Sequence, residues 1–216
     1  MKISNSLERF LECSHAKKFI AALIFSVVIT GYVTQYAKVA SANIAGSVVR
    51  FHVIANSDQP HDQQLKLCVR DGVIEYLSDK LEGATDTAQT KAIIKNQLEN
   101  IQQVAQNTVE ENGYTYQVEA VLGDFKFPTK VYGDTRFPAG NYHALRILIG
   151  EQNGQNWWCV LYPQLCFTSN NAVKLPQQSK NKLKNVLTED EFEIISSDNK
   201  KVSVEIKFKI LELFGA

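Results

Sequence analysis

The stretch Gly154–Phe167, GQNWWCVLYPQLCF, decides the fold, because Trp157 and Trp158, the two tryptophans of the chain, sit side by side in it. Adjacent residues of a strand point to opposite faces of a sheet. An indole buries roughly 150–250 Å², so both faces of this strand need a cover. One cover is the domain's own core. The other is either a second layer of the same domain or a partner protein.

Upstream, Val48–Ala55 (VVRFHVIA) has the branched and aromatic content of a strand and stops at Asn56-Ser57-Asp58. Pro60 suits a first helical position. Leu65, Val69, Val73, Tyr76 and Leu77 then share one helical face, which predicts a helix to about Leu81. A second helix follows Thr85-Asp86-Thr87, with Ile94, Leu98, Ile101, Ala105 and Thr108 on its apolar side and Asn112-Gly113 at its end. Beyond Gly113 the period changes to two: Tyr116, Val118, Ala120 and Leu122 mark a half-buried strand.

Gly123-Asp124 is expected to turn the chain, and Phe125–Tyr132 to form another strand. Gly133–Gly140 (GDTRFPAG) reads as a loop bounded by glycines. Tyr142–Ile149 is a strand rich in branched residues, expected to form a hairpin with Asn156–Tyr162. Residues Thr168–Leu187 are polar and basic and read as an exposed arm, with Pro176 placed to start a short helix carrying Leu183 and Leu187. Glu191–Ile195 is a strand candidate, and Lys201–Leu213 alternates without a break and is a stronger one. The elements together predict an α+β domain, a mixed and mainly antiparallel sheet of five to seven strands with two long helices on one face. Strand order is not readable from the sequence.

The N-terminus differs in kind. Lys17-Lys18 lead into the apolar run Phe19–Val33, and Ala40-Ser41-Ala42 offers small residues at the −3 and −1 positions of a cut before Asn43. Residues 1–42 therefore read as a signal peptide, or as an uncleaved anchor if the segment extends through Tyr36 and tilts. In both cases the positive flank places residues 43–216, a single domain, outside the cytoplasm. The 216 residues are 44% apolar and formally neutral, with five of the 23 basic residues but only two of the 23 acidic ones in the first 42, so the remainder carries net −3. A mildly acidic domain without a basic stripe argues against nucleic acid.

Four cysteines (Cys13, Cys68, Cys159, Cys166) form no CxxC pair and no zinc-finger spacing. In an exported domain Cys159 and Cys166 are the pair to test for a disulfide; the alternative is three small buried hydrophobes. A cysteine hydrolase would need Cys159, His143 and Asp134 to converge. His143 and His52 are more simply polar residues on exposed faces of strands, and His61 is a solvated one. Asp58 and Asp62 flank a helix N-terminus, where the macrodipole favours negative charge, and with His61 they fall short of a metal-ligand count. Phosphate-loop, nucleophile-elbow and HExxH motifs do not occur. No cofactor or metal is expected.

The runs RFHVIANSDQPHDQQLKLCVRDGVIEYL (Arg50–Leu77), GDTRFPAG, NYHALRILIGEQNGQNWWCVLYPQLCF (Asn141–Phe167) and VSVEIKFKILEL resemble the stage II sporulation protein R family of endospore-forming bacteria. The resemblance implies a signalling protein made in the forespore and passed by the secretion machinery into the space between the two engulfment membranes. There it would trigger a membrane-embedded protease of the mother cell, through the ectodomain of that protease, to mature the pro-form of sigma factor E. It implies no catalytic residues. Trp and Arg dominate interface energetics, so Trp157, Trp158, Asp134 and Arg136 are the candidate contact residues; the alternative is that both tryptophans are core and the loop is a turn. The competing functions are an exported cysteine-dependent hydrolase and a membrane-anchored structural protein of the envelope.

Overall fold

The computed structural model describes residues 14–166 and 176–196. Its elements in chain order are helix α1 (Ser14–Gly46), strand β1 (Val49–Ile54), helices α2 (Pro60–Leu81), α3 (Thr87–Asn96) and α4 (Leu98–Glu111), strands β2 (Val118–Phe127), β3 (Lys130–Tyr132), β4 (Thr135–Phe137), β5 (Gly140–Ile149) and β6 (Asn156–Tyr162), and helices α5 (Gln177–Val186) and α6 (Glu189–Ile195). The class is α+β. The main sheet has the order β2-β5-β1-β6, and β3-β4 form a separate two-stranded ribbon.

All six residues of β1 are buried, as in a central strand whose two faces are both covered. It has β5 parallel on one side and β6 antiparallel on the other. The hairpin expected between β5 and β6 therefore does not form: β1 lies between them. The β5–β6 connection instead straps over the end of β1. Asn56 Oδ1 accepts from Glu151 N (2.9 Å), Asp58 Oδ1 accepts from Gln155 N (2.7 Å), and Gly154 N donates to Ala55 O (3.0 Å). A Cβ on Gly154 would lie 2.2 Å from the Ser57 carbonyl oxygen, so only glycine permits this crossing.

One face of the sheet carries the helices. Val49, Phe51 and Val53 of β1 pack against Leu65, Val69, Val73 and Leu77 of α2, Ile94 of α3, and Ile101, Ala105 and Val109 of α4. The second of the two expected helices is divided at Gln97, whose side chain accepts a hydrogen bond from the Tyr76 hydroxyl (2.6 Å). Asp86 caps α3 by accepting from Gln89 N. On the outer edge of the sheet, Gln102 and Gln106 of α4 accept hydrogen bonds from the free backbone N–H groups of Ala120 (3.1 Å) and Val118 (2.9 Å).

The opposite face is covered by the same chain. Ile44 and Ala45 from the end of α1, Phe137 of β4, Leu183 and Leu187 around α5, and Ile195 of α6 form a second core with Phe127, Tyr142, Ala144 and Val160 of the sheet. Residues 176–187 are thus packed rather than an exposed arm, and Leu183 is fully buried.

Three further expectations change. β2 runs unbroken through Gly123-Asp124 to Phe127, so the turn is absent there. The GDTRFPAG segment holds the tight turn and second strand of the β3–β4 ribbon. Glu191–Ile195 is helical, set by a capping box in which Thr188 Oγ1 accepts from Glu191 N and Thr188 N donates to Glu191 Oε2. The strand expected over Lys201–Leu213 lies outside the described residues.

Candidate functional site

Strict alternation on β1 and β6 sends Phe51 and Trp157 to the helical face and Arg50, His52 and Trp158 to the other. Trp157 is half-buried, with its ring edge-on to Phe51 at 5.7 Å and the Arg70 guanidinium 5.1 Å from its centroid. Trp158 is half-buried on the second face, edge-on to Phe127 at 4.7 Å, with Lys130 Nζ 5.3 Å from its centroid.

The centre of that second face is Arg50. The residue is fully buried, and among the described residues no carboxylate pairs with it. Its guanidinium carbon lies 4.8 Å from the Phe127 ring, 5.0 Å from Tyr142, 5.3 Å from Phe137 and 5.7 Å from Tyr132. The negative faces of these rings stabilise the charge. Nε donates to Cys159 O (2.9 Å) and Nη2 to the Tyr132 hydroxyl (2.8 Å), while Nη1 is buried without a hydrogen-bond partner. Burial lowers the Arg50 pKa, partly offset by Tyr132 and Tyr142. Because its partners come from β2, β3, β4 and β5, Arg50 fastens the β3–β4 ribbon to the main sheet.

Next along the strand, the buried His52 ring stacks on Trp158 and its Nε2 is 2.8 Å from Asn156 Oδ1. Burial lowers its pKa to about 4, with smaller contributions from Arg146, Arg50 and Lys130. The imidazole is therefore neutral near pH 7, and the Asn156 oxygen accepts a hydrogen bond from Nε2–H. The exposed strand position expected for His52 is overturned, because the ribbon and Trp158 cover that side of β1.

The four candidate contact residues do not form one patch. Trp157 is separated from the others by the sheet. Asp134, at the ribbon turn, forms an ion pair with Lys180 of α5, so it braces the ribbon against that helix. Arg136 is exposed, directly across the ribbon from Val131, which is 53% exposed. Lys130, Tyr132, Thr135 and Phe137 form the ribbon's inner side, leaving Val131 and Arg136 on the outer one.

The residues considered for a cysteine nucleophile do not converge either. Cys159 is joined to Cys166 in a disulfide with Cα atoms 5.7 Å apart, and it is buried in the helical-face core. His143 pairs with Asp124 (2.9 Å), and Asp134 with Lys180. With its sulfur bonded, Cys159 has no thiolate to attack a substrate. Asp62 is buried and accepts from Asn56 Nδ2 (2.8 Å) and from the Ser57 hydroxyl, and Asp58 holds Gln155 N, so both carboxylates belong to the strap over β1. Among the described residues, no group of three or more His, Cys, Asp or Glu side chains is placed to hold a metal.

Sequence reasoning missed the Arg50 cage. The signal was a basic residue inside an otherwise apolar strand, VVRFHVIA, since a buried guanidinium requires built partners.

Residues 45–172 match the family model described as Stage II sporulation protein R. A curated relative, Stage II sporulation protein R of Bacillus subtilis (strain 168), is 31% identical over 180 residues, covering 78% of this chain and 80% of the relative. No solved structure matches the chain.

Proposed function

We propose that this chain, which belongs to the stage II sporulation protein R family, is an exported, non-enzymatic sporulation signal. It acts in the space between forespore and mother cell by binding the ectodomain of a membrane-embedded mother-cell protease. Binding would bias that protease toward its active state, and pro-sigma factor E would then be processed. A ligand shifts such an equilibrium only by its differential affinity for the two states, so the domain needs one rigid surface, not a catalytic centre.

The observation that carries this reading is the β3–β4 ribbon. It presents Arg136 and Val131 outward, and it is held from behind by the Arg50 cage and from the side by Asp134–Lys180. A preorganised ribbon loses little entropy on binding. Trp158 lies on the ribbon's inner side, against Lys130, and takes no part in that outer surface. Arg is among the residue types that most often carry binding energy.

The experiment replaces the chromosomal copy in sporulating cells with Arg136→Glu, following export of the domain and maturation of sigma factor E together. Normal export with at least tenfold less maturation is expected. Normal maturation with this variant would remove the ribbon from the reading. A hydrolytic activity of the purified chain would remove the reading itself.

A further inference from the structure

We infer that the free edge of β6 is a strand-addition site for an extended, acidic segment of another protein. It is separate from the ribbon surface proposed above and does not depend on which protein that ribbon engages.

The main sheet ends in β2 on one side and β6 on the other, and the chain treats these two edges differently. On β2, Gln102 and Gln106 occupy the outward N–H groups of Ala120 and Val118. Hydrogen-bonding direction alternates from residue to residue along a strand. With Val118 and Ala120 directed outward, Glu119 and Val121 face Leu148 and Arg146, which turns Leu145 and Ile147 toward His52 of β1. Phe51 and Val53 then face Cys159 and Trp157, and the backbone groups of Asn156 and Trp158 point away from the sheet. Val160 shares that direction, and its carbonyl accepts from Leu165 N (3.2 Å), which closes the far end of the edge. Among the described residues, nothing bonds the outward N–H and C=O groups of Asn156 and Trp158. Unpaired backbone groups in a row are a template for another strand, and the open length suits a segment of about five residues.

The side chains beside this edge indicate what it takes. An added strand gives specificity through alternate side chains that reach opposite faces. Trp157 and Trp158 are half-buried, one on each face, so each leaves part of its ring for an apolar side chain. The charge around them is positive. Lys130 Nζ lies 5.3 Å from the Trp158 centroid, and among the described residues it has no carboxylate partner. On the helical face Lys66 donates to Gln155 O (3.0 Å), next to Asn156. The carboxylates nearby are engaged within the chain: Asp71 pairs with Arg70 (2.7 and 2.9 Å), and Asp58 accepts from Gln155 N (2.7 Å). A second copy paired edge to edge would keep both Lys130 side chains on one face of the seam. The chain's own alternating run Lys201–Leu213 carries Lys207 and Lys209 against Glu205 on its polar side. Neither complements the edge, whereas an acidic segment from another protein does.

The test uses the full chain purified in detergent micelles and two fluorescein-labelled probes, the acetylated peptide amides VEVEVEV and VKVKVKV, with binding read by anisotropy. The acidic probe should bind with a dissociation constant about tenfold or more below that of the basic one. Asn156→Pro removes an outward N–H and leaves the ladder to β1 untouched, so it should weaken the acidic probe about tenfold. Asn156→Ala keeps that N–H and should bind as the native chain does. Both variants lose the contact to His52, so they differ only in the backbone, and matched urea midpoints establish that both are folded. Lys130→Glu, which leaves the backbone alone, should reverse the preference between the probes. Equal binding of the two probes, or a folded Asn156→Pro variant that binds like Asn156→Ala, would overturn the inference. So would a chain that binds the acidic probe only after removal of residues 197–216, or a dimer that Asn156→Pro dissociates, because the edge would then belong to the chain itself or to a second copy.

Discussion

The His52 imidazole lies flat on the Trp158 indole, with ring centroids 3.7 Å apart and planes 9° from parallel. This stack closes the second face of the sheet beside Arg50, and it makes the domain sensitive to acid. The folded pKa of His52 is about 4 against an ordinary 6.5, so between these values the unfolded chain binds a proton that the folded one refuses. Stability contributed by neutral His52 is fully present above pH 6.5, is lost as pH falls toward 4, and changes no further below that. The loss amounts to about 3 kcal/mol at most. Urea midpoints measured from pH 7 to pH 4 should fall steeply for the native chain and less steeply for His52→Gln.

Arg50 predicts an inverted order of conservative changes. A lysine at this position cannot both stack among the rings and reach the Tyr132 hydroxyl and Cys159 carbonyl. It would place a strongly hydrated point charge in the same apolar site. Arg50→Lys should cost about 2–4 kcal/mol, and Arg50→Met less than Arg50→Lys, because removing a buried charge also removes its desolvation cost. Chemical denaturation of the two variants checks the order.

Gly154 and Gly83 form a matched pair. Gly154→Ala drives a Cβ into the Ser57 backbone, whereas the space around Gly83 is open and its φ is ordinary. Gly154→Ala should destabilise the domain by more than about 2 kcal/mol, and Gly83→Ala by less than about 0.5 kcal/mol. Thermal melts of the two alanine variants suffice.

The disulfide closes a short loop, with a sequence separation of 7. The double variant Cys159→Ser, Cys166→Ser should therefore lose about 2 kcal/mol. The proposed function requires no thiol, so on that proposal sigma factor maturation should persist at a temperature where the variant stays folded. Loss of maturation in a folded variant would reopen a role for sulfur chemistry.

At the β2 edge, Gln102 and Gln106 occupy backbone N–H groups that would otherwise be free to recruit a strand from another molecule. Gln102→Ala with Gln106→Ala should leave the fold intact and raise self-association, read by light scattering against concentration.

The legible parts of the fold were those set by local periodicity. Adjacent tryptophans on opposite faces follow from the strand repeat. The expected hairpin between β5 and β6 does not form because β1 lies between them, a long-range pairing that local periodicity does not encode. Glu191–Ile195 was misread because so short an apolar segment suits strand or helix, although Thr188 and Glu191 held the capping signal. The candidate site was less legible. Arg50 meets rings from four strands up to 92 positions away, a convergence that spacing along the chain does not encode. The grouping of Trp157 with Trp158 rested on sequence adjacency, which on a strand means separation by the sheet.

The central claim is tested most directly by reconstitution in non-sporulating cells that make the mother-cell protease and pro-sigma factor E, with and without this chain supplied across the membrane. Maturation should appear only when the native chain is present and should fall at least tenfold with Arg136→Glu exported at the same level. Maturation that is the same without the chain would contradict the account.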